Sequence, residues 1–187
     1  MDARKLALVA LFAALTAVGA LIKIPLWPVP MTMQTFFVLM AGIVLGPRHG
    51  TLSQAVYILV GLMGLPVFSG GGGPSYLLSP TMGYLIGFVL AAWAAGLAAG
   101  GGRISFGRAL GASVTGTAAI YLVGVPYLAL YMHLVLHKPE AVGVALKTGL
   151  AVFVPGDILK CLLLTAVAPR IAALLAQREG RHARHDS

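Results

Sequence analysis

Residues 49–102 read HGTLSQAVYILVGLMGLPVFSGGGGPSYLLSPTMGYLIGFVLAAWAAGLAAGGG and hold no Asp, Glu, Lys or Arg. A helix crosses a bilayer core of about 30 Å with roughly 20 apolar residues, so a run of this length predicts two spans rather than one. The expected helices are Thr51 to Gly64 and Met82 to Ala99. Between them, Leu65 to Thr81 carries Pro66, Gly70-Gly71-Gly72-Gly73, Pro74 and Pro80. Closely spaced prolines and glycines do not continue a helix. Irregular backbone at membrane depth is tolerated only where it packs on protein or lines a cavity. Residues Gly70, Gly71, Gly72 and Gly73 are therefore expected in a lid loop folded onto the protein; a flexible outer loop is the alternative.

The rest of the chain continues the pattern. Of 187 residues, 59% are hydrophobic and 10% charged, and mean hydropathy is +0.93. A soluble domain carries about 25% charged residues to cover its surface, so this composition excludes one, and it excludes disorder too. Leu6 to Ile22 forms a first span. Its basic start, Arg4 and Lys5, resembles a signal peptide, but the remainder of the chain is as apolar as the segment itself, which favours a membrane helix. Pro25, Pro28 and Pro30 predict a bent, partly extended stretch from Lys23 to Met33. Further helices are expected at Gln34 to Leu45, Arg108 to Leu136 with an internal Pro126, and Val144 to Leu175 with a break near Pro155-Gly156. A basic tail, Arg178 to Ser187, closes the chain. The expectation is an all-α integral membrane protein, one six-helix bundle in a single domain.

The net charge of +8 takes its meaning from topology. With the N-terminus inside, Arg4, Lys5, Arg48, Arg103, Arg108, Arg170, Arg178, Arg181 and Arg184 fall on the cytoplasmic side, and Lys23, Lys138 and Lys147 on the other. This bias places both termini in the cytoplasm of a bacterial-type cell membrane. It leaves no compact basic surface for nucleic acid. The single cysteine, Cys161, makes no internal disulfide or metal site. The glycine run lacks the Lys-Ser/Thr of a phosphate loop. No catalytic triad is visible, and the histidines fall in loops, near helix ends or in the tail.

Against this background two charges stand out. Asp157 and Lys160 are the only charged residues between 149 and 169. Charge at membrane depth is costly and marks a functional site by default. Their i,i+3 spacing sets both on one helix face. A polar pocket is one reading; an ion pair that only pins two helices is the other. Gln34 opens its helix with an amide that donates and accepts, and is either a pocket residue or a helix-end residue. Tyr84 opens the Met82 helix, while Tyr121, Tyr127 and Tyr131 are read as interface anchors. Ala10/Ala14 and Ala13/Ala17 form small-xxx-small pairs, which let a helix pack closely inside the bundle or on another membrane subunit.

Four segments together resemble a known family: Val29-Pro30-Met31-Thr32-Met33-Gln34-Thr35-Phe36, Phe68-Ser69-Gly70-Gly71, Ser79-Pro80-Thr81-Met82-Gly83-Tyr84-Leu85-Ile86-Gly87-Phe88 and Pro155-Gly156-Asp157-Ile158-Leu159-Lys160. In this order they are similar to the BioY family, biotin-specific S components of energy-coupling-factor (ECF) transporters. The resemblance implies biotin as transported substrate, with no resident cofactor and no enzyme activity. It implies Asp157 and Lys160 as biotin ligands, then Gln34, Ser79 and Tyr84, with Phe68 as an apolar wall. It implies a transmembrane coupling subunit and two cytoplasmic ATPases as partners, met through Ala10, Ala13, Ala14 and Ala17. The chain departs from the family's usual Gly-Pro-Thr-Gly-Gly-Tyr at Ser79 and Met82. Two readings stay open beside it: an S component for another vitamin, and an integral-membrane enzyme using Asp157 as base on a lipid.

Overall fold

A computed structural model describes residues 2–135, 137, 143, 147 and 153–185. Among the described residues, five helices are long and apolar enough to cross a membrane. They are α1 (Ala3–Leu21), α2 (Gln34–Leu62), α3 (Met82–Ala99), α4 (Phe106–Leu134) and α5 (Phe153–His185). The apolar part of α5 ends at Leu175. Large apolar side chains such as Leu11, Leu122 and Leu163 point outward, as a bundle with lipid around it requires.

Element α2 spans both the second and third helices expected from the sequence, and it does not run straight. Gly46 takes φ 78, ψ 175, a conformation open to glycine and strained for other residues. Pro47 comes next and starts a new helical run. The second arm folds back on the first: a Cβ on Gly50 would lie 2.7 Å from the Gly42 Cα, and Gln34 near one end meets Tyr57 near the other. Met82 to Ala99 matches its expected bounds. Helix α4 holds Pro126 within it, and its expected end at Leu136 lies outside the described residues.

The last helix is described from Phe153 onward and includes Pro155-Gly156. The stretch before the expected break lies outside the described residues. The expected start at Val144 lies outside the described residues. At the other end the helix continues to His185, through most of the basic tail.

Helix α3 is the centre of the bundle, 61% buried against 28–44% for the others, and it packs on both α2 and α4. Backbones approach closely there. A Cβ on Gly42 would collide with the Ala92 carbonyl oxygen. Helix α1 packs on α2, and its alanines divide between two faces. Ala13 is buried and Ala17 half-buried, whereas Ala10 and Ala14 are exposed. Of the four alanines, Ala10 and Ala14 are the ones that face outward.

After α1 the chain forms a small antiparallel hairpin, β1 (Lys23–Ile24) with β2 (Met31–Thr32). This is the bent, extended stretch that the prolines predicted. The segment between α2 and α3 holds a short 3₁₀ helix, Pro74–Leu78.

Gly42→Ala is expected to lower stability by about 1–3 kcal/mol through overpacking against Ala92. Gly111→Ala, facing open space on α4, is expected to be neutral or to stabilise by up to about 1 kcal/mol. Thermal unfolding of the two purified variants in one detergent checks the contrast; equal midpoints would contradict the packing described for α2 and α3.

Candidate functional site

At the hairpin end of the bundle lies a small cavity of about 60 Å³. That is below the roughly 300–1,000 Å³ of small-molecule sites, so a ligand of that size needs the lining to move apart. Every part of the fold that ends there contributes: Thr32 from the hairpin, Gln34 and Thr35 from α2, Tyr84 from α3, Tyr121 from α4, Asp157 and Lys160 from α5.

The charge pair forms its floor. Lys160 Nζ donates to Asp157 Oδ1 at 2.8 Å and to Thr35 Oγ1 at 3.1 Å. The Tyr121 hydroxyl donates to Asp157 Oδ2. Asp157 and Lys160 are each only 7% exposed. Buried charge is stable only when paired and hydrogen-bonded, and here both conditions hold. Capacity still remains. An ammonium has three donors and a carboxylate about four acceptor sites, so each group has room for a further polar partner from the cavity.

Gln34 is buried in the cavity wall and links several elements. Its Oε1 accepts from Thr32 Oγ1 at 2.9 Å, and its Nε2 donates to the Tyr57 hydroxyl at 2.6 Å. Tyr57 passes the bond on to the Val67 carbonyl at 3.0 Å. One chain of hydrogen bonds thus ties the hairpin, both arms of α2 and the loop after it. Tyr84 is different. Its hydroxyl is buried and has no hydrogen-bond partner among the described residues. An unpaired buried hydroxyl calls for a reason, and its place on the cavity wall supplies one: a polar ligand group can complete it.

The glycine-rich loop packs down onto this end. Ser69 lines the cavity, and its carbonyl accepts from Lys23 Nζ of the hairpin. The loop closes on itself where Phe68 N–H donates to Gly71 O at 2.9 Å, and Gly73 N–H is pinned to Gly61 O at 2.8 Å. Gly72 cannot be replaced without movement, because a Cβ there would collide with the Leu65 carbonyl oxygen. None of the four glycines itself lines the cavity.

Of the residues expected from the sequence, Asp157, Lys160, Gln34 and Tyr84 meet around the cavity. Ser79 and Phe68 do not. Ser79 pairs its hydroxyl with Thr81 Oγ1 at 3.0 Å, and it is Thr81 that reaches the wall. Phe68 is buried beneath the loop, its ring 4.6 Å from that of Tyr76 and 5.4 Å from that of Tyr57. It supports the loop from below.

Tyr121 corrects an expectation in the other direction. It turns inward to Asp157 rather than anchoring at the interface. Ser113, Thr117 and Tyr121 recur every four residues, which sets a polar stripe on one face of α4. Thr117 meets Cys161 of α5 at 3.7 Å, so this stripe faces the helix with the charges. The spacing was readable in the sequence. Thr35, next to Gln34, was missed because a threonine in an apolar helix carries little signal alone.

The BioY family profile matches residues 1–177. A biotin transporter BioY of Thermotoga maritima is 42% identical over 94% of this chain and 99% of its own. The chain belongs to the BioY family. A probable biotin transporter BioY of Pyrococcus horikoshii is 40% identical, covering 91% of this chain and 98% of its own. Among solved structures, the S-component for biotin from an ECF-type ABC transporter superposes with a TM-score of 0.76 at 27% identity, over 91% of this chain and 94% of that one. BioY relatives are transporters, not enzymes, and the helices here make this a multi-pass membrane protein.

Removing one charge of a buried pair leaves the other uncompensated, at a cost of about 3–5 kcal/mol, whereas removing both is far milder. Lys160→Met is therefore expected to lower the thermal midpoint well below that of Asp157→Asn/Lys160→Met. Unfolding of both proteins in the same detergent reads this; a double variant as unstable as the single one would contradict a shared buried pair.

Proposed function

We propose that this chain captures biotin from outside the cell and delivers it to the cytoplasm as the S component of an ECF-type transporter. The observation that carries the reading is the buried Asp157–Lys160 pair on the wall of a polar cavity, in a chain whose relatives are named biotin transporters. The ureido ring of biotin has two N–H donors and one carbonyl. Asp157 can accept from the former and Lys160 can donate to the latter, each with bonding capacity left over. Tyr84 supplies a further donor. The aromatic rings of Phe88 and Phe153, on the same wall, suit the apolar part of the bicycle.

The proposal extends to topology and partners. Counting the arms of α2 separately gives six spans, with the termini in the cytoplasm of the cell membrane and the cavity facing out. The glycine-rich loop and the β1–β2 hairpin serve as the lid, joined through Lys23 and Ser69. A coupling subunit and two ATPases supply the energy, since the sequence has no nucleotide motif of its own. The exposed face with Ala10 and Ala14 is the contact for the coupling subunit, as small residues allow close helix approach in lipid.

The test is equilibrium binding of radiolabelled biotin to the purified chain, repeated with Asp157→Asn and Lys160→Ala after folding is verified by monodispersity. The unmutated protein is expected to bind, and each variant to lose at least about 1.5 kcal/mol, more than tenfold in affinity, as for a hydrogen bond to a charged group. No binding by the unmutated protein would contradict the biotin assignment and favour another vitamin. Full binding by both variants would contradict only the placement.

A further inference from the structure

The opposite end of the bundle holds a second and larger cavity. It is formed by the start of α1, the bend of α2, the α3–α4 loop and the later part of α5. Its volume is about 1070 Å³, at the top of the roughly 300–1,000 Å³ typical of small-molecule sites. The lining is two-sided. Lys5, Arg103 and Arg170 bring positive charge from three separate elements, with His49 beside them, while Leu8, Ile43 and Ala173 are among the apolar groups behind. No acidic residue lines it among the described residues.

Two further features define its shape. The extensively packed neighbours of α1 and α5 are α2 for the former and α4 and α2 for the latter. Between α1 and α5 themselves the structure shows a bridge, Arg4 Nη2 to the Leu175 carbonyl at 2.8 Å. The cavity thus has a wall on the side where two lipid-facing helices adjoin. The α3–α4 loop is held rigidly: the Arg108 guanidinium donates to the Arg103 carbonyl at 3.1 Å and to the Gly101 carbonyl at 3.2 Å. This places a further cation behind the loop, while the outer side of Gly101 and Gly102 stays open.

A free anion needs charge and little room. A neutral lipid needs an apolar wall and no charge. A cavity with both, set where helices end at a membrane surface, fits an anionic phospholipid with its phosphate among the cations and its chains along the apolar wall. We propose that this cavity binds an anionic phospholipid, with Lys5, Arg103 and Arg170 holding the phosphate. The site is separate from the biotin cavity and does not depend on that assignment. Bound lipid would fill the space between the ends of α1, α2 and α5 that the protein leaves open.

The test uses the purified full chain in a non-ionic detergent, with phosphatidylglycerol, phosphatidylcholine or inorganic phosphate added, and native mass spectrometry to count retained molecules. One phosphatidylglycerol is expected to be retained, with phosphatidylcholine and inorganic phosphate at least tenfold weaker. Arg103→Gln/Arg170→Gln is expected to lower phosphatidylglycerol affinity about 30-fold, from roughly fivefold per surface cation. Arg181→Gln/Arg184→Gln, in the tail, removes the same charge elsewhere and is expected to leave retention unchanged. Equal loss in both double variants would reduce the effect to net charge and overturn the site. Equal retention of phosphatidylcholine, or displacement of lipid by millimolar phosphate, would overturn the ligand. If lipid retention is unaffected in Arg103→Gln/Arg170→Gln but a reconstituted ATPase complex no longer assembles, the surface belongs to a protein partner and the proposal fails.

Discussion

Two opposite charges are held 2.8 Å apart inside a bundle of otherwise apolar helices. In a low-dielectric interior neither is tolerable alone, and the surrounding structure supplies what each lacks. Tyr121 from α4 reaches one carboxylate oxygen, and Thr35 from α2 reaches the ammonium. Helix α5 is thereby tied to the two helices that flank α3. The same pair leaves donor and acceptor capacity turned toward a cavity. The contact that holds the helices together is also the one that lines the cavity.

The cavity exists because the chain is interrupted at this end of the bundle. Prolines prevent Lys23 to Met33 from continuing α1, and a hairpin forms instead. The glycine-rich segment cannot continue α2, and it folds down until Gly73 is bonded to Gly61. Such irregular backbone needs protein partners at membrane depth. The network through Gln34, Tyr57 and Val67 provides them. The glycine-rich segment is therefore secured through Gln34, which lines the cavity.

The sequence revealed most where physical chemistry is least forgiving. Charge in hydrocarbon is rare and costly, so Asp157 and Lys160 were visible without any structure. The absence of charge over residues 49–102 pointed to two helices there, and the prolines to a bent, partly extended stretch after α1. Less was legible where weak local signals compete. Tyr121 looked like an interface tyrosine because helix position alone does not reveal which face turns inward; only its four-residue spacing from Thr117 and Ser113 does. Ser79 was favoured over Thr81 by motif position, yet the turn into α3 puts the threonine on the wall. The large basic cavity was invisible, since its cations come from elements far apart in sequence.

The central claim is that a ligand's polar ring sits on the Asp157–Lys160 pair. A structure of this chain determined with biotin bound tests it most directly. The account predicts the ureido ring within hydrogen-bond distance of the Asp157 carboxylate and the Lys160 ammonium, and a ligand atom meeting the Tyr84 hydroxyl. Biotin bound elsewhere, with the charge pair and Tyr84 untouched, would contradict it.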